Sequence, residues 1–369
     1  MSPSSSPSDP FRFLTAAGSV ARLTTAEAWV ATLVDVEDAL AAAQAEAGDI
    51  PAAAALAIAH VDRRQLDVPS IVDEAELGGN LVIPLLARLR AVAGDEAAPW
   101  VHHRATSQDV VDAATAVIVR KCATAIAGDL RSAADQAAQL QASFGETPMI
   151  ARTLGQQAVP TTFATVAGRW HDGLTGAAER VGRIARQPVW LGGPSGDGTS
   201  YGPRHPVILR EFAARLDLGV ATASTHAQRL WITDVAGAWG SVAAACAKVA
   251  LDVVVLAQDE IGEVVERAAG AGGSSSMAHK HNPVAAISAR AAALQAPGLV
   301  ATLLTAAGSG ESERAAGAWH AEWPALQALL RTTGSTAHWV GRSLQRLHVD
   351  TERMAANLAS HRARTEEQR

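Results

Sequence analysis

Apolar residues recur along most of this chain at the three-to-four-residue spacing of helices that bury one face, and the alternation typical of strands is nearly absent. From Gln108 to Phe144 the pattern is unbroken, with no proline and with Gly128 as its single glycine, which predicts one rod of about 54 Å. Further long helical segments are predicted from about Thr222 to Val265 and from about Val284 to Ala307. Val253, Val254 and Val255 form a β-branched run, but they lie inside the second segment and are read as helix. Rods of this length predict an all-α fold, a bundle of long helices. No repeat period is found, which argues against a solenoid.

Three Gly/Ser-rich breaks punctuate the rods: Leu191–Gly202, Gly270–Ser276 and Gly308–Gly310. A short charged stretch flanked by Gly94 and Pro99 marks the first boundary. The expected organisation is a disordered Ser/Pro-rich arm (1–12), an N-terminal helical domain (13–97), a central long-helix bundle (98–345) and a short charged tail (346–369).

The 369 residues are 48% hydrophobic and 18% charged, which supplies a sizeable core and excludes a disordered chain. A formal net charge of −6 argues against sequence-independent nucleic-acid binding, which requires a basic face. Cys122 and Cys246 are far apart and have no CxxC partner, so neither a disulfide framework nor a thiolate zinc site is expected, in keeping with a reducing cytoplasm. The opening MSPSSSPSDP has neither the basic nor the apolar region of a secretory signal. Lys248 and Asp252 interrupt the apolar stretch around them, so no membrane span is expected.

Three blocks carry candidate chemistry. In the first, His102-His103-Arg104-Ala105-Thr106-Ser107-Gln108-Asp109, Thr106 and Asp109 have the spacing of a capping box opening the long helix, and such a helix start is also an anion site. The second, Arg152-Thr153-Leu154-Gly155-Gln156-Gln157-Ala158-Val159-Pro160-Thr161-Thr162, reads as a turn followed by a helix start, with Pro160 and the threonines in the first turn. In the third, Gly272-Gly273-Ser274-Ser275-Ser276-Met277-Ala278-His279-Lys280-His281-Asn282-Pro283, a flexible serine stretch runs into a cation and then a helix. It is neither a P-loop nor a dinucleotide turn, and no carboxylate or cysteine completes a metal site around His279 and His281. A mobile serine beside a lysine suits proton transfer next to a carboxylate.

In this order, the blocks resemble the fumarase/aspartase superfamily, whose hallmark Gly-Ser-Ser-x-Met-Pro-x-Lys-x-Asn is matched by Gly273–Asn282 with Ala278 in place of the proline. The resemblance spans about Phe13 to Met354. The stretches Gly79–Pro84, Ala105–Asp112 and Glu313–Trp323 are similar to its bacterial 3-carboxy-cis,cis-muconate cycloisomerase branch. The resemblance implies a cofactor-independent enzyme converting 3-carboxymuconate to 4-carboxymuconolactone through an aci-carboxylate intermediate. It implies Ser274 as the catalytic serine with Ser275 beside it. Lys280 and Asn282 would bind substrate carboxylates, as would Thr106 and Ser107 with Gln156 nearby; His102, Arg314 and His320 complete the implied set. It further implies a homotetramer whose sites are each assembled from three subunits, and a third, C-terminal helical domain that this chain is too short to contain.

Many lyases of the superfamily carry histidine where this chain has Leu154. A departing amine must be protonated, whereas a lactone's carboxylate, with a pKa near ~4, leaves unaided. Leu154 therefore favours lactone chemistry over an adenylosuccinate- or argininosuccinate-type lyase. A non-catalytic member of the fold is disfavoured by the presence of Ser274, Lys280 and Asn282.

Overall fold

The computed structural model describes residues 9–277 and 280–366, so most of the expected arm, and Ala278 and His279 of the hallmark, lie outside the described residues. Two single-turn helices, α1 (Arg12–Thr15) and α2 (Ser19–Arg22), lead into α3 (Ala26–Glu46), whose first turn is capped by the Thr25 hydroxyl accepting the Ala28 N–H. Next come α4 (Ala52–Ala59), α5 (Val68–Gly78) and α6 (Val82–Ala93). Asp67 caps the start of α5, and Gly79, at a left-handed φ of 70°, ends it.

The axis of the molecule is α7 (Ser107–Phe144), 38 residues and about 57 Å long. Its buried face is built largely of alanine and valine, including Ala113, Ala114, Ala116, Val117, Ala123 and Ala127, which lets neighbouring helices pack closely. At its far end β1 (Pro148–Thr153) and β2 (Gln156–Thr162) form an antiparallel hairpin that feeds α8 (Phe163–Arg183) back along α7. A two-residue parallel ladder, β3 (Pro188–Val189) with β4 (Gly219–Val220), brackets α9 (His205–Arg215). Then α10 (Leu230–Leu256) returns through the core, where Trp239 and the α8 residue Trp170 are among the largest fully buried side chains. Strand β5 (Val264–Glu266), helices α11 (Val284–Ala293), α12 (Ala296–Gly308) and α13 (Ala318–Gln345), strand β6 (Leu347–Val349) and α14 (Thr351–Glu366) complete the chain, with β5 antiparallel to β6. α13 packs on α7, α10, α11 and α12, closing the bundle.

The long-helix bundle and the rod from Gln108 to Phe144 match expectation. Three details differ. The second block is a hairpin, not a helix start: Pro160 and Thr161 pair with Ile150 and Met149, and α8 begins only at Phe163. The segment expected from Thr222 to Val265 is helical only over Leu230–Leu256, and its end belongs to β5. The third rod is broken in two at Leu294 and Gln295, because Pro297 fits the first turn of a new helix but not the interior of a continuous one.

The expectation on membrane spans also needs correction. Leu230–Leu256 and the stretch Val284–Gly308 are long and apolar enough to cross a membrane by length and composition alone, with best-window mean hydropathies of 1.7 and 1.4. Within the chain 44% and 28% of those windows are buried. Both belong to the bundle, and much of their apolar surface faces outward, including Leu230, Leu251, Ile287, Leu294 and Leu304.

Candidate active site

Thr106 is the N-cap of α7, and its N–H donates to the Asp109 carboxylate at 2.9 Å, as the T-x-x-D spacing predicts. Asp109 is buried and gathers further donors, the N–H groups of Gly192 (2.6 Å) and Gly193 (3.0 Å) and the Tyr201 hydroxyl (3.2 Å); the His226 ring stands close by, its Nε2 3.1 Å from the carboxylate but outside hydrogen-bonding geometry. Burial and then the Asp109 charge push the Tyr201 phenol well above its ordinary range. The break from Leu191 to Gly202 thus wraps the helix start. A Cβ on Gly193, at φ +63°, would meet the Ser200 Oγ at 2.1 Å, so only glycine fits that turn.

Immediately upstream, His102 and Arg104 both adopt left-handed backbone, with φ of 63° and 62°. The buried Asp49 carboxylate holds this stretch, facing Arg104 Nε at 3.3 Å, Arg204 Nη1 at 3.7 Å and His103 Nε2 at 3.8 Å. His102 Nδ1 donates to Glu37 Oε1 at 2.6 Å, and Glu37 is only 2% exposed. Burial depresses the imidazole's pKa, but the Glu37 charge and hydrogen bond outweigh it, leaving His102 above the ordinary histidine value. The result is an imidazole whose charged form is favoured, close to a helix N-terminus, a favourable setting for a substrate carboxylate.

One turn along α7, Asp112 takes two bonds from Arg229 (2.5 and 3.0 Å) and one from Trp319 Nε1 (3.1 Å), while Arg229 also grips Glu322 at 2.6 Å. Burial raises the Glu322 pKa despite the opposing pull of Arg229. Gln108 donates to the His226 carbonyl and accepts from Arg314 Nε at 3.1 Å. Arg314 also reaches the carbonyls of Gly193 and Pro194 at 3.4 Å, so its guanidinium is already engaged within the chain. His320 packs its ring on Trp319 and Trp323 at 5.2 and 4.7 Å. His102, Thr106, Ser107, Arg314 and His320 therefore gather where α7 and α13 begin.

The serine loop lies between β5 and α11. Ser274 Oγ accepts the N–H groups of Ser276 (3.3 Å) and Met277 (3.2 Å), donors that would stabilise an alkoxide at that oxygen. Ser275 and Lys280 are exposed. Asn282 braces the loop, donating its N–H (2.8 Å) and its side-chain amide (3.2 Å) to the Gly272 carbonyl. The loop's feet are tied as well. Arg267 N–H reaches the Arg346 carbonyl at 2.8 Å, and Glu266 accepts from Ser343 Oγ at 2.6 Å.

The expected residues thus fall into groups at opposite ends of the bundle. Trp319 sits with the Thr106 cluster and Ser343 with the serine loop, roughly 36 Å apart along α13. Gln156 opens β2, beyond the far end of α7, where its hairpin is joined to the serine-loop end through Arg152 and the buried Glu263 at 2.8 Å. Among the described residues, no group of three His, Cys, Asp or Glu side chains is gathered that could hold a metal. Sequence reading missed Glu37, Tyr201, His226, Arg229 and Glu266. Their partners lie 65, 92, 117, 117 and 19 residues away in the chain, and no local signal marks such pairs.

Comparisons agree with this architecture. A lyase family model matches residues 18–298. A nitrosuccinate lyase of Streptomyces davaonensis is 40% identical over 90% of this chain and 73% of its own length. A 3-carboxy-cis,cis-muconate cycloisomerase of Bradyrhizobium diazoefficiens is 39% identical over 89% and 74%. Among solved structures, the β-carboxy-cis,cis-muconate cycloisomerase from Acinetobacter calcoaceticus superposes with a TM-score of 0.88 at 28% identity, covering 96% of this chain and 81% of that one. The long-helix bundle, the three blocks and these matches together place the chain in the lyase family of the fumarase/aspartase superfamily, and it is an enzyme of that family.

Proposed function

We propose that this enzyme makes or breaks a bond β to a carboxylate of a small polycarboxylate whose leaving group is a weakly basic anion, and that the reaction is cycloisomerisation of 3-carboxy-cis,cis-muconate to 4-carboxymuconolactone. Leu154 carries the reading. It stands at the tip of the β1–β2 hairpin with no ionisable group of its own, so no acid is offered there to a departing amine. In the lactonising direction a substrate carboxylate oxygen adds to the conjugated double bond, and the electron pair moves onto the neighbouring carboxylate as an aci-carboxylate. Ser274 then delivers a proton to the carbon between them. The reverse step returns that proton to Ser274 and expels the carboxylate. Ser275 lies beside the proton donor. Lys280, Asn282 and the helix-start group of His102, Thr106 and Ser107 supply donors where the charge develops, with Gln156 and His320 at the periphery.

Nitrosuccinate elimination is the second reading, favoured by the 40% identity to a nitrosuccinate lyase. Nitrite, like carboxylate, is the anion of a moderately strong acid, and Leu154 suits its departure equally.

In either reading the site is assembled between copies of the chain, as a homotetramer. The outward apolar faces of α10, α11 and α12 support such an assembly. The buried thiols of Cys122 and Cys246, each pushed up to about 12 by burial, suit a reducing cytoplasm. Ultraviolet absorbance separates the readings. Loss of the conjugated-diene band of 3-carboxymuconate is expected. Release of nitrite from nitrosuccinate with an unchanged diene band would favour the second reading, and neither change would sink both.

A further inference from the structure

His320 stands exposed in the first turn of α13, and among the described residues neither of its ring nitrogens has a hydrogen-bond partner. Its ring is held by aromatic contact alone, 5.2 Å from the Trp319 ring and 4.7 Å from that of Trp323, and the two indoles cross each other at 84°. The indoles are anchored unequally. Trp319 is 4% exposed and its Nε1–H donates to Asp112 Oδ1 at 3.1 Å, whereas the buried Nε1–H of Trp323 finds no acceptor among the described residues. Asp112 is itself fixed: Oδ1 also accepts from Arg229 Nη2 at 3.0 Å, and Oδ2 accepts from Arg229 Nη1 at 2.5 Å and Gln108 Nε2 at 3.3 Å. Four donors saturate the carboxylate, and Glu322 holds Arg229 from its other side.

We propose that Trp319 is a positioning residue for substrate binding: its N–H bond to Asp112 fixes where His320 stands, and His320 donates a ring N–H to a substrate carboxylate beside Thr106 and Ser107. The inference rests on the proposed function in taking a polycarboxylate as the substrate. Asp112 lies six residues beyond Thr106 on α7, about 9 Å along the axis, so a ring tied to it is tied to the helix-start group as well. The start of α13 offers no substitute anchor, because its N-cap, Gly317, makes no side-chain bond. Without the bond to Asp112 the stack is free to shift, and every arrangement that turns the imidazole away from the carboxylate lowers the apparent affinity. Trp319 is thus buried and touches no substrate, yet it sets the geometry of a residue that does.

Trp319→Phe tests this, because it keeps an aromatic face and removes the N–H, while Asp112 retains Arg229 and Gln108. KM is expected to rise about fivefold or more with kcat within about twofold, since a contact made equally in ground and transition states acts on KM. His320→Ala should raise KM by at least ~10-fold, the scale of a lost hydrogen bond to a charged group. Adding Trp319→Phe to His320→Ala should raise it no further, because Trp319 acts only through that ring. Trp323→Phe loses an N–H that has no acceptor and should stay within about twofold of wild type. A purely structural role would instead lower the unfolding temperature and give the same loss in both backgrounds. Unchanged KM in Trp319→Phe or in His320→Ala, additive losses in the double variant, an equal loss in Trp323→Phe, or a Trp319→Phe protein that fails to fold would each overturn the inference. Calorimetry with tricarballylate, a saturated tricarboxylate that cannot react, should rank the variants in the same order by Kd. If that order holds while the wild type consumes neither 3-carboxymuconate nor nitrosuccinate, the reaction assignment fails and the role of Trp319 stands. If a substrate is consumed and the order fails, only the role of Trp319 is lost. A wild type that neither turns over a substrate nor binds tricarballylate would overturn both.

Discussion

Glu266 accepts the backbone N–H of Ala285 at 2.9 Å, so the last residue of β5 caps a helix that starts on the far side of the serine loop. It also takes the Ala286 N–H at 2.8 Å, while the nominal N-cap, Pro283, makes no side-chain bond. Together with the Ser343 hydroxyl, these bonds tie both feet of the loop to one carboxylate. Glu266→Ala should lower unfolding stability by about 1–2 kcal/mol, the usual value of a lost cap. It should also reduce kcat by roughly tenfold with a smaller change in KM, because the loop that places Ser274 loses its anchor. Denaturant unfolding alongside steady-state kinetics checks both. An unchanged kcat would mean the loop is positioned by other contacts.

Ser274→Ala is expected to lower kcat by at least ~10², the usual contribution of a positioned proton donor, while the fold is retained. Circular dichroism checks the fold and the diene or nitrite assay the rate. Near-wild-type turnover would remove Ser274 from the mechanism.

His102 gives a pH signature whose sign follows from its partner. Its folded pKa is raised, so its stabilising contribution is fully present below the unfolded value near ~6.5 and is lost as pH climbs through the folded value. Asp109 and Glu37 favour the charged ring, while Arg90 and burial oppose it. His102→Asn tolerates the left-handed backbone and removes the imidazolium. The stability lost in the variant should be larger at about pH 5.5 than at about pH 8.5. Equal losses at the two pH values would contradict this assignment.

Arg229 neutralises two buried carboxylates, Asp112 and Glu322, and their charges hold its own pKa above the ordinary arginine value despite burial. Arg229→Ala leaves both without their cation and should cost about 3–5 kcal/mol, the typical penalty for breaking a buried pair. Arg229→Ala with Asp112→Asn and Glu322→Gln should recover part of that loss. Denaturant midpoints decide; a single variant as stable as wild type would show that water reaches these carboxylates.

Thr106→Ala and Ser274→Ala should each be nearly inactive alone. Unfolded together and refolded as a mixture, they should regain part of the activity, because some mixed sites would receive both wild-type residues. Light scattering showing a fully active monomer, or mixed assemblies without recovered activity, would rule out shared sites.

What could be read from sequence was what is local. The T-x-x-D spacing at Thr106 and Asp109 and the unbroken run to Phe144 specify the start and length of α7, and the structure reproduces both. The hairpin was missed because its turn is Leu-Gly rather than Asn-Gly, and because Pro160, in β2, imitates a helix opening. Pro297 was a visible break whose weight the surrounding apolar run concealed. The partnerships that shape the candidate site, His102 with Glu37 and Arg229 with Asp112, join elements distant in sequence and emerge only when helices pack.

The length of α7 has a consequence for how activity answers to dilution. A rod of about 57 Å keeps the helix-start group and the hairpin of one chain permanently out of each other's reach. If sites are completed between copies, a newly made chain carries the chemical parts and yet is inert until it meets others. Specific activity would then fall steeply below the concentration at which the assembly dissociates, and a substrate held at both ends of a site would lower that threshold by binding copies together.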